Sequence, residues 1–174
     1  MDLKQAIRAS LTQADFIVNG YLDDLTDAEL LARPCNGGNH IAWQLGHLIG
    51  SERHLVEQAV PGKMPPLPEG FGPRHNKETA QIDDPAAFLT KEEYIGLAKK
   101  FRAATLAVVE ELPDSGFDQP VSKVPPFLKT AGELFLFLGP HWIMHAGQWA
   151  VIRRTLGRPP LFKSRSASAP GSFE

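Results

Sequence analysis

The residues best suited to chemistry are His141 and His145, one helical turn apart in the segment HWIMHAGQWA. At about 100° per residue they project within about 40° of each other, on the same side as Leu134, Leu138 and Ile152. Both imidazoles therefore fall within the apolar stripe of a helix. Burying them takes their ring nitrogens out of water, and each polar group is costly to bury unless it is paired. One divalent ion shared between the rings would satisfy a nitrogen on each, and i, i+4 spacing is the one by which helical zinc sites present two imidazoles. Hydrogen bonds within the core would also satisfy them, and spacing alone leaves both readings open. The pair is not a zincin motif, because Trp142 follows His141 where a glutamate base would stand. Nor does the Glu-x-x-His of di-iron bundles occur in the chain. Cys35 is the only cysteine, so imidazole and carboxylate must hold any metal.

Two imidazoles hold an ion weakly, and a catalytic zinc-type centre has three protein ligands. The segment HIAWQLGHLIGSERH offers His40, His47 and His54, spaced by sevens and stacked at the edge of a second apolar stripe. His40 and His54 stand near the ends of that helix and read as solvated polar residues. His47 is the better ligand candidate, since its turn holds Gly46 and Gly50 beside Trp43, and these small residues leave room for a ligand or a closely packed neighbour. Glu52 or His54 in a fourth position would close the site and point to a structural or sensor ion. Further candidates carry a plainer reading beside the functional one. Gln148 is placed to bond His145 or to bridge helices. Arg74, His75 and Lys77 form either an anion-binding or a solvated loop cluster. Trp43, Trp142 and Trp149 are either pocket walls or core.

These residues need a scaffold. Leu3, Ile7, Leu11, Ala14, Ile17, Val18 and Tyr21 recur at helical spacing, predicting a helix over about the first 22 residues. Thr26 and Glu29 form a capping box that opens a short turn, stopped at Arg33-Pro34. A second long helix runs from His40 to about Val60, ended by Pro61-Gly62. The segment from Pro61 to Pro85 also holds Pro65, Pro66, Pro68 and Pro73, and such a long connection reads as a functional loop bordering a pocket. Thr90 and Glu93 cap a third helix that Pro113 closes, and Thr130 and Glu133 cap a fourth that runs to about Leu156 and stops at Gly157. Pro140 lies inside this last helix and predicts a kink there with the helix continuing. The serine- and alanine-rich residues 163–174 read as a disordered tail, leaving residues 1–162 as one domain. With no strand pattern and no repeat, the fold expected is all-α, a four-helix bundle with long proline-rich connections.

The stretches LTDAELLARP, NHIAWQLGHLIGSE and HWIMHAGQWAVIRRTLGRP, in that order over roughly residues 3–162, resemble the DinB/YfiT superfamily of proposed metalloenzymes. Its most specific feature is one histidine of the second helix joined to a His-x-x-x-His in the last. The resemblance implies an up-down-down-up bundle, often dimeric, with a three-histidine site for nickel, zinc or iron. Its members include thiol-dependent S-transferases and a mycothiol-dependent isomerase. Carried onto this chain, the metal ligands would be His47, His141 and His145. The expected function is then a divalent-metal-dependent enzyme using a low-molecular-weight thiol, with a non-catalytic metal- or ligand-binding bundle as the rival. A bare interaction module without an ion is a third reading.

A net charge of −2 with scattered basic residues argues against a nucleic-acid partner. No apolar run is long enough to span a bilayer and the N-terminus carries no leader pattern, so a cytoplasmic location is expected. Phe135, Leu136 and Ile143 on the flanks of the last helix make it apolar nearly all round, which predicts a homodimer packed partly through it.

Overall fold

The computed structural model of the protein describes residues 1–161. The expected tail at 163–174, and residue 162 of the expected domain, lie outside the described residues. Four long helices dominate: α1 (Leu3–Leu22), α2 (Ile41–Ala59), α4 (Lys91–Glu111) and α5 (Ala131–Thr155), with a single turn, α3 (Phe71–Arg74), between the second and third of them. Among the described residues there is no strand, and Pro120 and Thr130 form only an isolated bridge. Among the described residues no helix is long and apolar enough to cross a membrane.

The helix starts follow from side-chain chemistry. Asp2 with Gln5, Thr90 with Glu93 and Thr130 with Glu133 each form a reciprocal capping box, satisfying backbone N–H groups that have no partner within the helix. Thr26 and Glu29 exchange the same pair of bonds ahead of the short turn at Ala28–Leu31. At α2 the cap is an imidazole: His40 Nδ1 accepts from the Trp43 backbone N–H at 3.1 Å. Gly157, at φ 73°, ends the last helix in the left-handed conformation that glycine adopts without strain.

α1 packs chiefly on α5, α5 also on α2 and α2 on α4, with a slighter contact between α4 and α1. The approach of α1 to α5 depends on Gly139, where a Cβ would stand 2.3 Å from Ser10 Oγ and 2.9 Å from the Ser10 carbonyl. The adjacent Pro140 is tolerated because it faces solvent, where the Leu136 carbonyl it deprives of a partner can be hydrated. α5 runs through both residues as one helix.

The long connection, whose sequence has no sustained period, carries short ordered turns. Besides α3 it holds two 3-10 turns, Lys77–Thr79 and Pro85–Ala87, and it folds back over α2. Arg33 ties it down: its Nη1 donates to the Gly38 carbonyl at 2.7 Å and the Ala80 carbonyl at 3.0 Å, and the guanidinium pairs with Asp83 at 2.7 Å. The bonds to Ala80 and Asp83 join residues far apart in sequence, which is why local pattern does not announce them.

Candidate metal centre

α2 and α5 cross with one histidine of the former facing two of the latter. His47, His141 and His145 each offer a ring nitrogen, and these atoms all lie within 4.8 Å of one another. The ring centroids form a nearly even triangle, 5.4 Å from His47 to His141, 5.3 Å from His47 to His145 and 5.2 Å between the pair on α5. Nitrogens on opposite sides of one ion, at about 2.1 Å each, are about 4.2 Å apart, so small ring movements suffice to bring this set onto a single ion. Aromatic rings hold two of the three in place. Trp43 stacks on His47 with centroids 5.3 Å apart and planes at 5°, and Phe137 stacks on His141 at 5.2 Å and 16°.

The profile of the DinB superfamily matches residues 11–149, a span that holds all three histidines. The chain belongs to that superfamily. No curated protein and no solved structure matches it.

The electrostatics of this DinB-superfamily site favour neutral rings with lone pairs available. Burial pushes His141 and His145 down to about 4, helped at His141 by His145 and His47 and at His145 by His47, and burial alone lowers His47. Neither the His47 ring nor the His141 ring makes a hydrogen bond to another described residue, and the His145 ring uses only Nδ1, 3.0 Å from Gln44 Oε1. That leaves at least one nitrogen of each ring uncommitted.

The other histidines are committed. His40, read from sequence as solvated, is fully buried: besides its cap bond, its Nε2 donates to the Ile82 carbonyl at 3.0 Å. A position at the end of a helix looks exposed in one dimension, and here the long connection covers it. His54 is exposed as expected, with Nε2 donating to the Lys123 carbonyl at 3.2 Å. His75 is not part of a solvated cluster with Arg74 and Lys77 but turns inward. Its Nδ1 donates to the Phe71 carbonyl at 2.8 Å, and its Nε2 accepts from the Tyr94 hydroxyl at 2.7 Å. The space left by Gly46 is filled by the His75 ring, which a Cβ there would meet at 2.0 Å. Gly50 instead faces open space, a cleft of about 220 Å³ lined by His47, Ser51, His54 and, from the long connection, Leu67, Phe71 and His75.

Nor does a carboxylate close the centre. Glu52 is buried on α2, where it accepts from Thr105 Oγ1 and Trp142 Nε1, each at 2.8 Å, and pairs with Arg102 at 3.2 Å. Burial raises its pKa, with Arg102 opposing the shift. Trp142 thus serves the core, whereas Trp43 walls the site. Gln148 bridges helices: it accepts from Gln44 Nε2 at 3.2 Å and does not reach His145. The residue that does reach it, Gln44, escaped the sequence reading. The one available signal is a buried polar residue three positions before His47, a pattern that gains meaning only when α5 is laid across α2.

Proposed function

We propose that His47, His141 and His145 bind one divalent ion, and that the protein is a metal-dependent enzyme joining a low-molecular-weight thiol to a small electrophile. The observation that carries this reading is the convergence of three neutral imidazoles whose facing nitrogens have no partner among the described residues. Held by three uncharged ligands, such an ion keeps its full charge and an open position, and can activate a bound thiol or water or polarise an electrophile. The chain's own part is to orient the rings through Trp43, Phe137 and Gln44, and to keep Glu52 and His54 engaged elsewhere so that neither fills the remaining position. The cleft beside His47, with Gly50 leaving it open, gives a small substrate a place to lie.

The same reading takes residues 1–162 as one domain, an up-down-down-up four-helix bundle. It works in the cytoplasm, where thiols stay reduced. It pairs as a homodimer through the outer face of α5, where Leu136, Met144 and Val151 are exposed and nothing between Glu133 and Arg153 is a charged lysine, arginine, aspartate or glutamate.

The test is elemental analysis of protein prepared without a histidine tag, followed by assay of the zinc-, nickel- and iron(II)-loaded forms against a panel of thiols and electrophiles. Near-stoichiometric metal and turnover with at least one pair are expected. Absence of bound metal overturns the centre, and a fully loaded protein inert to the whole panel overturns the transferase.

A further inference from the structure

Gln44 is fully buried, and every hydrogen-bonding position of its amide is in use. Its Oε1 accepts from Trp149 Nε1 at 2.9 Å and lies 3.0 Å from His145 Nδ1; its Nε2 donates to the Asn39 carbonyl and to Gln148 Oε1. An indole nitrogen can only donate and a backbone carbonyl can only accept. Turning the amide over would set N–H against N–H at Trp149 and oxygen against oxygen at Asn39, leaving buried polar groups unsatisfied on both sides. The orientation of the amide is therefore fixed twice, by groups that are not part of the histidine cluster. With an oxygen held in front of it, His145 Nδ1 must carry the proton.

We propose that Gln44 is the positioning residue of the centre: it locks His145 in the tautomer with the proton on Nδ1, leaving Nε2 as a bare lone pair for the ion. An imidazole not held in this way spends part of its time with the proton on the nitrogen the ion needs, and part rotated away. A carboxylate often stands behind a ligating imidazole, raises its basicity and brings a negative charge close to the metal. Gln44 fixes the ring without that charge, so an ion held here would keep the stronger pull on an anionic thiolate. The ligand role of His145 rests on the function proposed above; the tautomer does not.

Nitrogen-15 chemical shifts of the His145 ring, recorded without added metal, report which nitrogen carries the proton. A protonated Nδ1 and bare Nε2 are expected in the wild type and in Gln148→Ala, which removes only an outer partner of the amide. Gln44→Met should show mixed tautomers and bind Zn(II) about 10- to 100-fold more weakly in competition with a chromogenic chelator, with helical content unchanged. Trp149→Phe, which removes one of the two locks, should fall between. A bare Nδ1 in the wild type, or Zn(II) affinity in a folded Gln44→Met equal to that of the wild type, would overturn the proposal. If the wild type shows the expected tautomer yet takes up no metal, the metal centre falls while the hold of Gln44 on His145 stands.

Discussion

His75 is buried and His141 partly buried, and burial drives the pKa of each down to about 4, yet they are built for opposite ends. Around His75 every polar position is answered: the Phe71 carbonyl takes one proton, the Tyr94 hydroxyl gives another, and Gly46 makes room for the ring. Around His141 the neighbours are a stacked Phe137 and two more imidazoles, none of which supplies a hydrogen bond to it. Low basicity and an apolar setting thus do not separate a structural histidine from a ligand. The separation lies in whether the protein itself completes the ring's bonding. His40 falls with His75 on that criterion, and His47 with His141.

The largest effect that could break this comparison is on metal content. His141→Ala together with His145→Ala should reduce bound metal from near one per chain to near zero, while His75→Leu leaves the stoichiometry as it was, both read by elemental analysis of folded protein. Equal loss in both variants would remove the distinction.

The next effect is on acid stability. The unfolded chain protonates His75 near its ordinary value of 6.5, whereas the folded chain resists until about 4. Across that window the unfolded state binds more protons, so the contribution of neutral His75 is present above about 6.5 and is lost as the pH falls towards 4. From pH 7 to pH 5 this amounts to roughly 2 kcal/mol. Urea unfolding of the metal-free protein at the two values should show a pH difference smaller by about that amount in His75→Leu.

Gly46→Ala should cost about 1–3 kcal/mol, the usual range for overpacking, because its methyl group would press on the His75 ring. Its stability loss should largely disappear when it is combined with His75→Ala, which opens the space. Failure of the two to compensate would mean that the ring is not what requires a glycine there. The smallest effect belongs to the exposed His54, where His54→Ala should change stability by less than about 0.5 kcal/mol and leave metal content unchanged.

How much of this was legible in the sequence depends on how local the information is. Capping boxes at Thr90 and Thr130, the stop at Gly157 and the Pro61-Gly62 end of α2 act within a few residues, and the helices begin and end where those signals stand. The pairing of His141 with His145 is equally local, fixed by the 3.6-residue turn alone. Pattern also preferred His47 to its companions on α2, although the reason offered for setting His40 aside, solvation, is not the one that holds. His40 is excluded because a carbonyl of the long connection and the first turn of α2 use both of its nitrogens.

What the sequence by itself determined, then, is the four long helices and the side of each that must be covered, because hydrogen bonds and periodicity within a helix do not need the rest of the chain. Only the tertiary structure decided which histidine of α2 meets the pair on α5, where the long connection sends His40 and His75, and which residue stands behind His145. Those outcomes depend on the relative rotation of two helices and on bonds such as Trp149 to Gln44, whose partners lie more than a hundred positions apart.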